Sequence, residues 1–472
     1  MRRVSYAMLT AAVTIVLIAG CGGGSYNATP PPMGQSAQVS VSMTDAPPAG
    51  VTILSFEVSL TAASLNPGNV DLLNGKGPIR IEVKKLETET AFLSTSSVAT
   101  GNYTSLSLTF ANPELTFKND SGGTLAGCAP GSVCEIKPAG PLMATSNGIF
   151  YVTSGTPSGL LVDVNLNTLL SGTLGVDFSL SGAVAVTQQT KQAEGELEDL
   201  DDVDGIVKSP ANNQFTLQTK NLGNITVNVD NNTQFKDFES CTAANFTCVK
   251  DGQSIEADLL LMASGAFLAK KIELQDNVAE AADDELDGVI FKIDSATQFE
   301  MVVIEELRDV TNVSVGNPVT VVLQTTGGGT SFRVDTNGLT VPATLQQAFE
   351  GATDTAQLLP GQTVQVRKRA MTGGPAPAAI TITTDRIRLR MTRFTATVSG
   401  APAGSMFNVG GLPGLFTSAG ISQIQVQTSS QTKFENVSGV SGLADGATVS
   451  LRGLLFKSTP NPVLIADKVR KR

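Results

Sequence analysis

Pro360-Gly361-Gln362-Thr363-Val364-Gln365-Val366 is a glycine turn followed at once by an alternating strand. The same order stands at Asp251-Gly252-Gln253-Ser254-Ile255-Glu256-Ala257 and at Asp445-Gly446-Ala447-Thr448-Val449-Ser450-Leu451. Each turn is followed by a basic strand: Lys270-Lys271-Ile272-Glu273-Leu274, Asp385-Arg386-Ile387-Arg388-Leu389 and Asp467-Lys468-Val469-Arg470. Upstream, Val229-Asp230-Asn231-Asn232-Thr233-Gln234-Phe235 answers to Val426-Gln427-Thr428-Ser429-Ser430-Gln431-Thr432-Lys433-Phe434, with Val334-Asp335-Thr336-Asn337 as a looser counterpart between them. A unit recurring with one order of turn and strand signals is a structural repeat. About five short strands per copy, broken by Gly and Asn turns, predict a small closed barrel of the OB-like kind. The copies span 204–275, 286–391 and 392–472. They differ most between the Phe-ending strand and the Gly turn, where the second copy carries a predicted helix from Pro342 to Glu350 closed by Gly351.

Working towards the N-terminus, acidic runs at 276–285 and 188–203 lack an apolar face and read as solvated linkers. Asp199, Asp201 and Asp204 ahead of Gly205 hint at a calcium loop, but Val203 and Pro210 fall where that loop needs ligands. Residues 39–187 alternate with period two, as in Val39-Ser40-Val41-Ser42-Met43, Ile79-Arg80-Ile81-Glu82-Val83 and Leu106-Ser107-Leu108-Thr109-Phe110, with turn clusters between the runs. That pattern predicts an antiparallel β-sandwich. Short helical pieces are expected at Leu86–Leu93 and Leu166–Leu170. The fold class is therefore all-β: a sandwich followed by three OB-like barrels.

Two resemblances bear on this layout. Thr44-Asp45-Ala46-Pro47 after the first strand, Gly101-Asn102-Tyr103 before another, and Leu161-Val162-Asp163-Val164-Asn165-Leu166 late in the unit resemble a family of bacterial exported domains of unknown function that open on a T-D-A-P motif. The repeat order from Asp204 onward resembles a second family of unknown function, found as tandem small β-barrels in exported proteins.

At the start of the chain, Arg2 and Arg3 precede an apolar run from Ala7 to Ala19 that is too short to span a bilayer permanently. It ends in Leu17-Ile18-Ala19-Gly20-Cys21, which resembles the bacterial lipobox. The resemblance implies a signal peptide over 1–21 and a lipid on Cys21, and the absence of Asp after the cysteine implies the outer membrane. Residues 22–38 are Gly-, Pro- and Ser-rich and read as a flexible tether.

Composition removes several chemistries. The chain has no histidine, which excludes Ser-His-Asp, Cys-His and HExxH sites. It has no tryptophan and four tyrosines, a poor supply of rings for stacking sugars or bases. Besides Cys21 there are four cysteines, and in an oxidising compartment the local pairs Cys128 with Cys134 and Cys241 with Cys248 read as two loop-closing disulfides. Neither pair has the CxxC spacing of a thiolate metal site. No metal or cofactor is expected.

Charge is unevenly spread. Without Arg2 and Arg3 the chain holds 30 basic and 43 acidic residues, a formal −13. From Pro360 onward there are 14 basic and four acidic residues, leaving 16 basic against 39 acidic before it. Arg386, Arg388 and Arg390 lie on one face of a strand, and Arg367, Lys368 and Arg369 end the strand predicted beside it. This basic face reads as a solvated surface, as a contact for anionic polysaccharide or phosphate, or as a contact for the acidic part of the chain itself. Asp45 is a candidate ligand carboxylate, or a turn residue bonding nearby amides; Asp45 with Asp163 is the pairing to inspect for acid–base or metal chemistry. The expected function is non-catalytic: a lipid-anchored envelope protein that binds or organises envelope or extracellular components, either anionic polymers through the basic end or an envelope protein. A carbohydrate-binding surface lipoprotein is the alternative and a carboxylate hydrolase the third reading. Nucleic acid is not an expected partner.

Overall fold

The computed structural model describes residues 36–46, 51–75, 77–89, 91–156, 158–190, 199–220, 222–238, 241, 244–262, 266–276, 284–306, 310–373 and 379–472. The lipobox with Cys21, and the tether as far as residue 35, lie outside the described residues.

The first unit is the expected sandwich. One sheet holds β1 (Ser36–Ala46), β5 (Ala91–Ala99), β9 (Ser158–Asn165) and β10 (Val184–Thr190), in the order β10-β9-β1-β5. It is antiparallel except for β1 and β9, which run parallel. The other sheet is built on two long strands, β2 (Thr52–Asn66) and β6 (Gly101–Lys118), edged by β3 (Val70–Asp71), β4 (Ile79–Glu82), β7 (Val133–Ile136) and β8 (Met143–Val152). Inward-facing residues such as Phe56, Val58, Leu60, Leu106, Leu108, Phe110, Val162 and Val164 form one buried cluster between the sheets, as alternation demands. Helix α1 (Leu166–Leu169) falls where expected. The other helical expectation is corrected: Val83–Glu87 is a 3-10 turn, and β5 starts at Ala91 because Phe92 and Leu93 are buried strand residues.

The three repeats share one topology. Barrel 1 comprises β11 (Asp199–Ala211), β12 (Gln214–Gln218), β13 (Asn224–Asn228), β14 (Gln234–Lys236), β15 (Ser254–Leu261) and β16 (Phe267–Asp276). Barrel 2 comprises β17 (Glu285–Ser295), β18 (Gln298–Glu306), β19 (Pro318–Leu323), β20 (Ser331–Val334), β21 (Thr363–Thr372) and β22 (Ile380–Arg390), with helix α2 (Ala343–Glu350) before β21. Barrel 3 comprises β23 (Thr392–Ala403), β24 (Met406–Gly410), β25 (Ile424–Gln427), β26 (Lys433–Glu435), β27 (Thr448–Phe456) and β28 (Val463–Lys471), with α3 (Gly414–Thr417) after β24. In each, five strands close on themselves through a parallel pair, β13 with β16, β19 with β22 and β25 with β28, and the short remaining strand adds to the outside of the last. This is the closed five-strand barrel of the OB kind.

The glycine turns close the barrels identically. Gly252, Gly361 and Gly446 have φ of +85°, +93° and +80°, a region that favours glycine. Their amides donate to Val207, Ile290 and Val398 at 2.9, 2.7 and 2.9 Å.

One alignment is corrected. The counterpart of Thr233-Gln234-Phe235 and Thr432-Lys433-Phe434 is Thr330-Ser331-Phe332, not Val334-Asp335-Thr336-Asn337. The three threonine hydroxyls donate to Ala269 O, Ala466 O and Thr384 O at 2.7, 2.7 and 2.8 Å. Phe235, Phe434 and Phe332 pair in register with Ile272, Val469 and Ile387.

Candidate functional site: an ionic hub between the repeats

The fifth barrel strand alternates, so one row of side chains fills its barrel and the other leaves it. The register of β14, β20 and β26 shows which outward residues are equivalent: Lys271, Glu273 and Gln275 in barrel 1, Arg386, Arg388 and Arg390 in barrel 2, and Lys468, Arg470 and Arg472 in barrel 3. Ile387 and Leu389, between the arginines, are fully buried in barrel 2.

The arginine row is not a surface. Arg386, Arg388 and Arg390 are 2%, 6% and 9% exposed, which corrects both the solvated reading and the reading as a contact for anionic polymers. Arg386 pairs with Glu285 and lies 3.2 Å from Asp276. Arg388 donates to Gln365 Oε1 at 2.7 Å, Asp276 Oδ1 at 3.1 Å and the carbonyl of Gln275 at 3.2 Å. Arg390 reaches furthest: to Asp287 at 3.2 Å, Glu256 at 3.1 Å, Gln275 Oε1 at 3.0 Å, Asp335, and Asp204 at 3.6 Å. Asp204 and Glu256 belong to barrel 1 and Asp287 and Asp335 to barrel 2, so one guanidinium ties two repeats together. Contact with the acidic part of the chain is the arrangement found.

The residues sequence reading missed are the acids. Asp276 and Glu285 were expected in a solvated linker, yet they end β16 and begin β17 and are 1% and 3% exposed. The available signal was a change of sign: Glu256 and Glu273 in copy 1 stand where copy 2 has Gln365 and Arg388.

Acids outnumber bases here, and their protonation divides accordingly. Burial raises Glu285 to about 7, helped by the negative charge of Asp276 and opposed by Arg386. Burial raises Glu273 to about 10, with Asp335 adding to it. Burial also pushes Asp204 and Asp287 up against the pull of Arg390. Asp276 and Asp335 are held below the usual carboxylate range: burial opposes this, but it is outweighed by Arg388, Arg386 and the hydrogen bond with Glu285 together at Asp276, and by Arg390, Arg388 and the hydrogen bond with Glu273 together at Asp335. Neutral carboxyls thus share the site with charged ones, as expected where unpaired charge is costly.

The flanking triplet is also engaged. Arg367 forks onto Asp385 at 2.8 and 2.9 Å, Arg369 bonds the same carboxylate at 2.6 Å, and Lys368 lies 2.5 Å from Asp284. Arg369 is the most open, at 38%.

The sandwich joins the hub through its 3-10 turn. Lys85 pairs with Glu305 of barrel 2, Glu89 with Arg393 and Arg452 of barrel 3, and the carbonyl of Glu87 accepts from Arg472 at 2.7 Å. Thr116 donates to Gly316 O at 2.6 Å, and Thr52 Oγ1 accepts from Leu415 N at 3.2 Å. A polar cavity of about 20 Å³ lies where these elements meet, among Asp204, Glu256, Asp287, Asp335 and Arg390, room for about one water. A second, of about 140 Å³, lies between the sandwich, barrel 1 and the end of β18. Its lysines are already paired, Lys85 with Glu305 and Lys220 with Glu306. At its edge Glu82 accepts from Ser55, Phe56 N and Lys84 N at 2.7, 2.8 and 3.1 Å, and burial raises it to about 7 against those bonds.

Asp45 lies in β1 opposite Val164, while Asp163 stands opposite Thr44; the side chain of Asp45 is outside the described residues. Cys128–Cys134 and Cys241–Cys248 form the two expected disulfides.

Comparison with known proteins finds a likeness in two of the repeats. A model described as a domain of unknown function, DUF5666, matches residues 204–273 and 408–469, within barrels 1 and 3. No curated protein matches the chain. Among solved structures, drosophila Unr CSD456 matches with 10% identity over 58% of this chain and 98% of that chain, at a TM-score of 0.14.

Proposed function

We propose that this chain is a non-catalytic cell-envelope protein, held by a lipid on Cys21 at the outer membrane, that binds or organises a protein component of the envelope. The observation that carries the reading is the ionic hub. Its arginines are spent on fastening barrels 1 and 2 to each other, while neighbouring pairs fasten barrels 2 and 3 to the sandwich. The product is a braced body on a short tether, suited to presenting surfaces at a set height. With the arginines inside and a formal −13 on the mature chain, an anionic polymer is a poor partner on electrostatic grounds.

Open surfaces suited to a protein partner include faces of the barrels. OB-type barrels bind through their second and third strands. In barrel 2 that face turns to the sandwich, where Val302 packs with Leu54. On barrel 1 the exposed residues of β12 and β13 include Gln214, Gln218, Asn224 and Thr226, and on barrel 3 Met406 of β24 is exposed. Amide and hydroxyl groups of this kind suit a hydrogen-bonded protein contact.

Two measurements test the reading. Cys21→Ser is expected to release the protein from membranes, and unchanged retention overturns the anchor. Crosslinking in the native envelope is expected to capture a stoichiometric protein partner, lost when Gln214 and Gln218 are changed to Glu. Recovery of polysaccharide alone overturns the protein-partner reading in favour of a glycan-binding lipoprotein.

A further inference from the structure

The sandwich has two unlike poles. At one, Thr52 pairs with Lys118 and the barrels are attached through Thr52, Leu54 and Thr116. At the other, Asn66 pairs with Ser105, Gly101 with Val152, Ser36 with Ala99 and Ser158 with Thr190. The chain enters β1 at this second pole, so the tether arrives on the side away from the barrels.

This far pole is built from runs without a single charged residue: 58–70, 90–113, 138–162 and 178–190. The outer face of its sheet carries rows of small polar groups, Asn66-Ser105-Asn147 and Ser64-Ser107-Thr145. Along β8, Met143, Ile149 and Tyr151 are 57%, 60% and 56% exposed, among the most open large apolar side chains described. The backbone of Tyr151 is already satisfied by Gln188, whose amide accepts from Tyr151 N at 2.8 Å and donates to Tyr151 O at 2.7 Å. That end of the edge strand is capped against strand addition, while its side chains point outward.

We infer that this sparsely charged pole rests on the bilayer surface, with Tyr151 and Ile149 entering the headgroup region. The inference depends on the lipid anchor proposed above. From Cys21 to Ser36 is 15 residues, a length of chain that reaches at most about 50 Å. The pole is therefore held within reach of the bilayer. Two apolar side chains would not hold a free protein on a membrane, but a tether makes the second contact intramolecular and raises its effective concentration. Charge favours this pole over the other: an acidic protein is repelled by anionic headgroups, and the far strand ends carry few charges, Asp71 opposite Ser64 among them. Tyrosine suits the interface because its ring is apolar and its hydroxyl stays wet.

The absence of tryptophan makes the test direct. The full acylated chain carrying Tyr151→Trp as its sole tryptophan is placed on phosphatidylethanolamine–phosphatidylglycerol vesicles, with ordinary or brominated acyl chains. Emission is expected to fall at least two-fold on the brominated lipid. A Met406→Trp chain, labelled on barrel 3, is expected to stay unchanged, and adding Ile149→Asp to the Tyr151→Trp chain is expected to abolish the quenching. Equal emission on both lipids from protein that floats with the vesicles overturns the docking and leaves the anchor standing. Failure to float overturns the anchor and the docking together. A blue shift on adding neutral polysaccharide without vesicles overturns the inference in favour of a glycan face.

Discussion

Arg390 is the residue on which the most carboxylates converge, and its loss leaves Asp204, Glu256, Asp287 and Asp335 without their main counter-charge. Arg390→Met is expected to cost about 3–5 kcal/mol in denaturant unfolding, the usual result of removing one partner from a buried pair. Arg369→Ala, at a half-open site where Arg367 still holds Asp385, is expected to cost less than about 1 kcal/mol. Acidity gives a second test. Glu285 binds its proton more tightly in the folded chain, so its contribution is full below its ordinary value near 4.5 and is lost as pH rises through about 7. Glu82 behaves alike. Asp276 and Asp335 run the other way, stabilising above the ordinary value and failing in acid. Melting temperature is expected to decline from about pH 5 to about pH 8, and Glu285→Gln to flatten that decline. The alternation of Arg386, Arg388 and Arg390 was legible in the sequence; their burial was not. Period two says that a strand's faces differ, but not whether the polar face meets water or another barrel.

At the scale of the element, the repeat was readable because turn geometry leaves a residue signature. The positive φ shared by Gly252, Gly361 and Gly446 is what put the same letter in all three turns. Gly446→Ala, with open space around it, is expected to cost about 1 kcal/mol through backbone strain. Gly361→Ala is expected to cost more, since a Cβ there would stand 2.1 Å from Phe416; comparing the two by urea unfolding separates strain from clash. Thr330→Val removes the bond to Thr384 O and is expected to cost about 1 kcal/mol. This threonine was misplaced in the sequence because Gly327-Gly328-Gly329 lengthens the loop ahead of it and shifts the spacing to Phe332. Spacing fails where an insertion falls inside the motif, whereas the hydrogen bond survives it.

Across the whole molecule the units are less separable than their linkers suggest. Leu454, Phe456, Val463 and Ile465 of barrel 3 pack into the buried cluster of barrel 2, and Phe92 of the sandwich packs into that of barrel 1. Barrels 2 and 3 are expected to melt as one calorimetric transition, and a chain ending at Met391 to expose apolar surface that a hydrophobic dye detects. Domain number and order were legible because each copy repeats its own turns. Their mutual packing was not, because it rests on pairs more than 100 residues apart, such as Arg390 with Glu256 and Arg388 with Asp276.

Tandem arrays ordinarily grow and shrink by duplication, since each unit accepts its neighbour's twin. Here the outward rows of the three fifth strands have diverged into unlike partners. A second middle unit inserted beside the first would set guanidinium against guanidinium, and a second first unit would set carboxyl against carboxyl. Three copies of one barrel have become positional parts, each fitted to the place it holds.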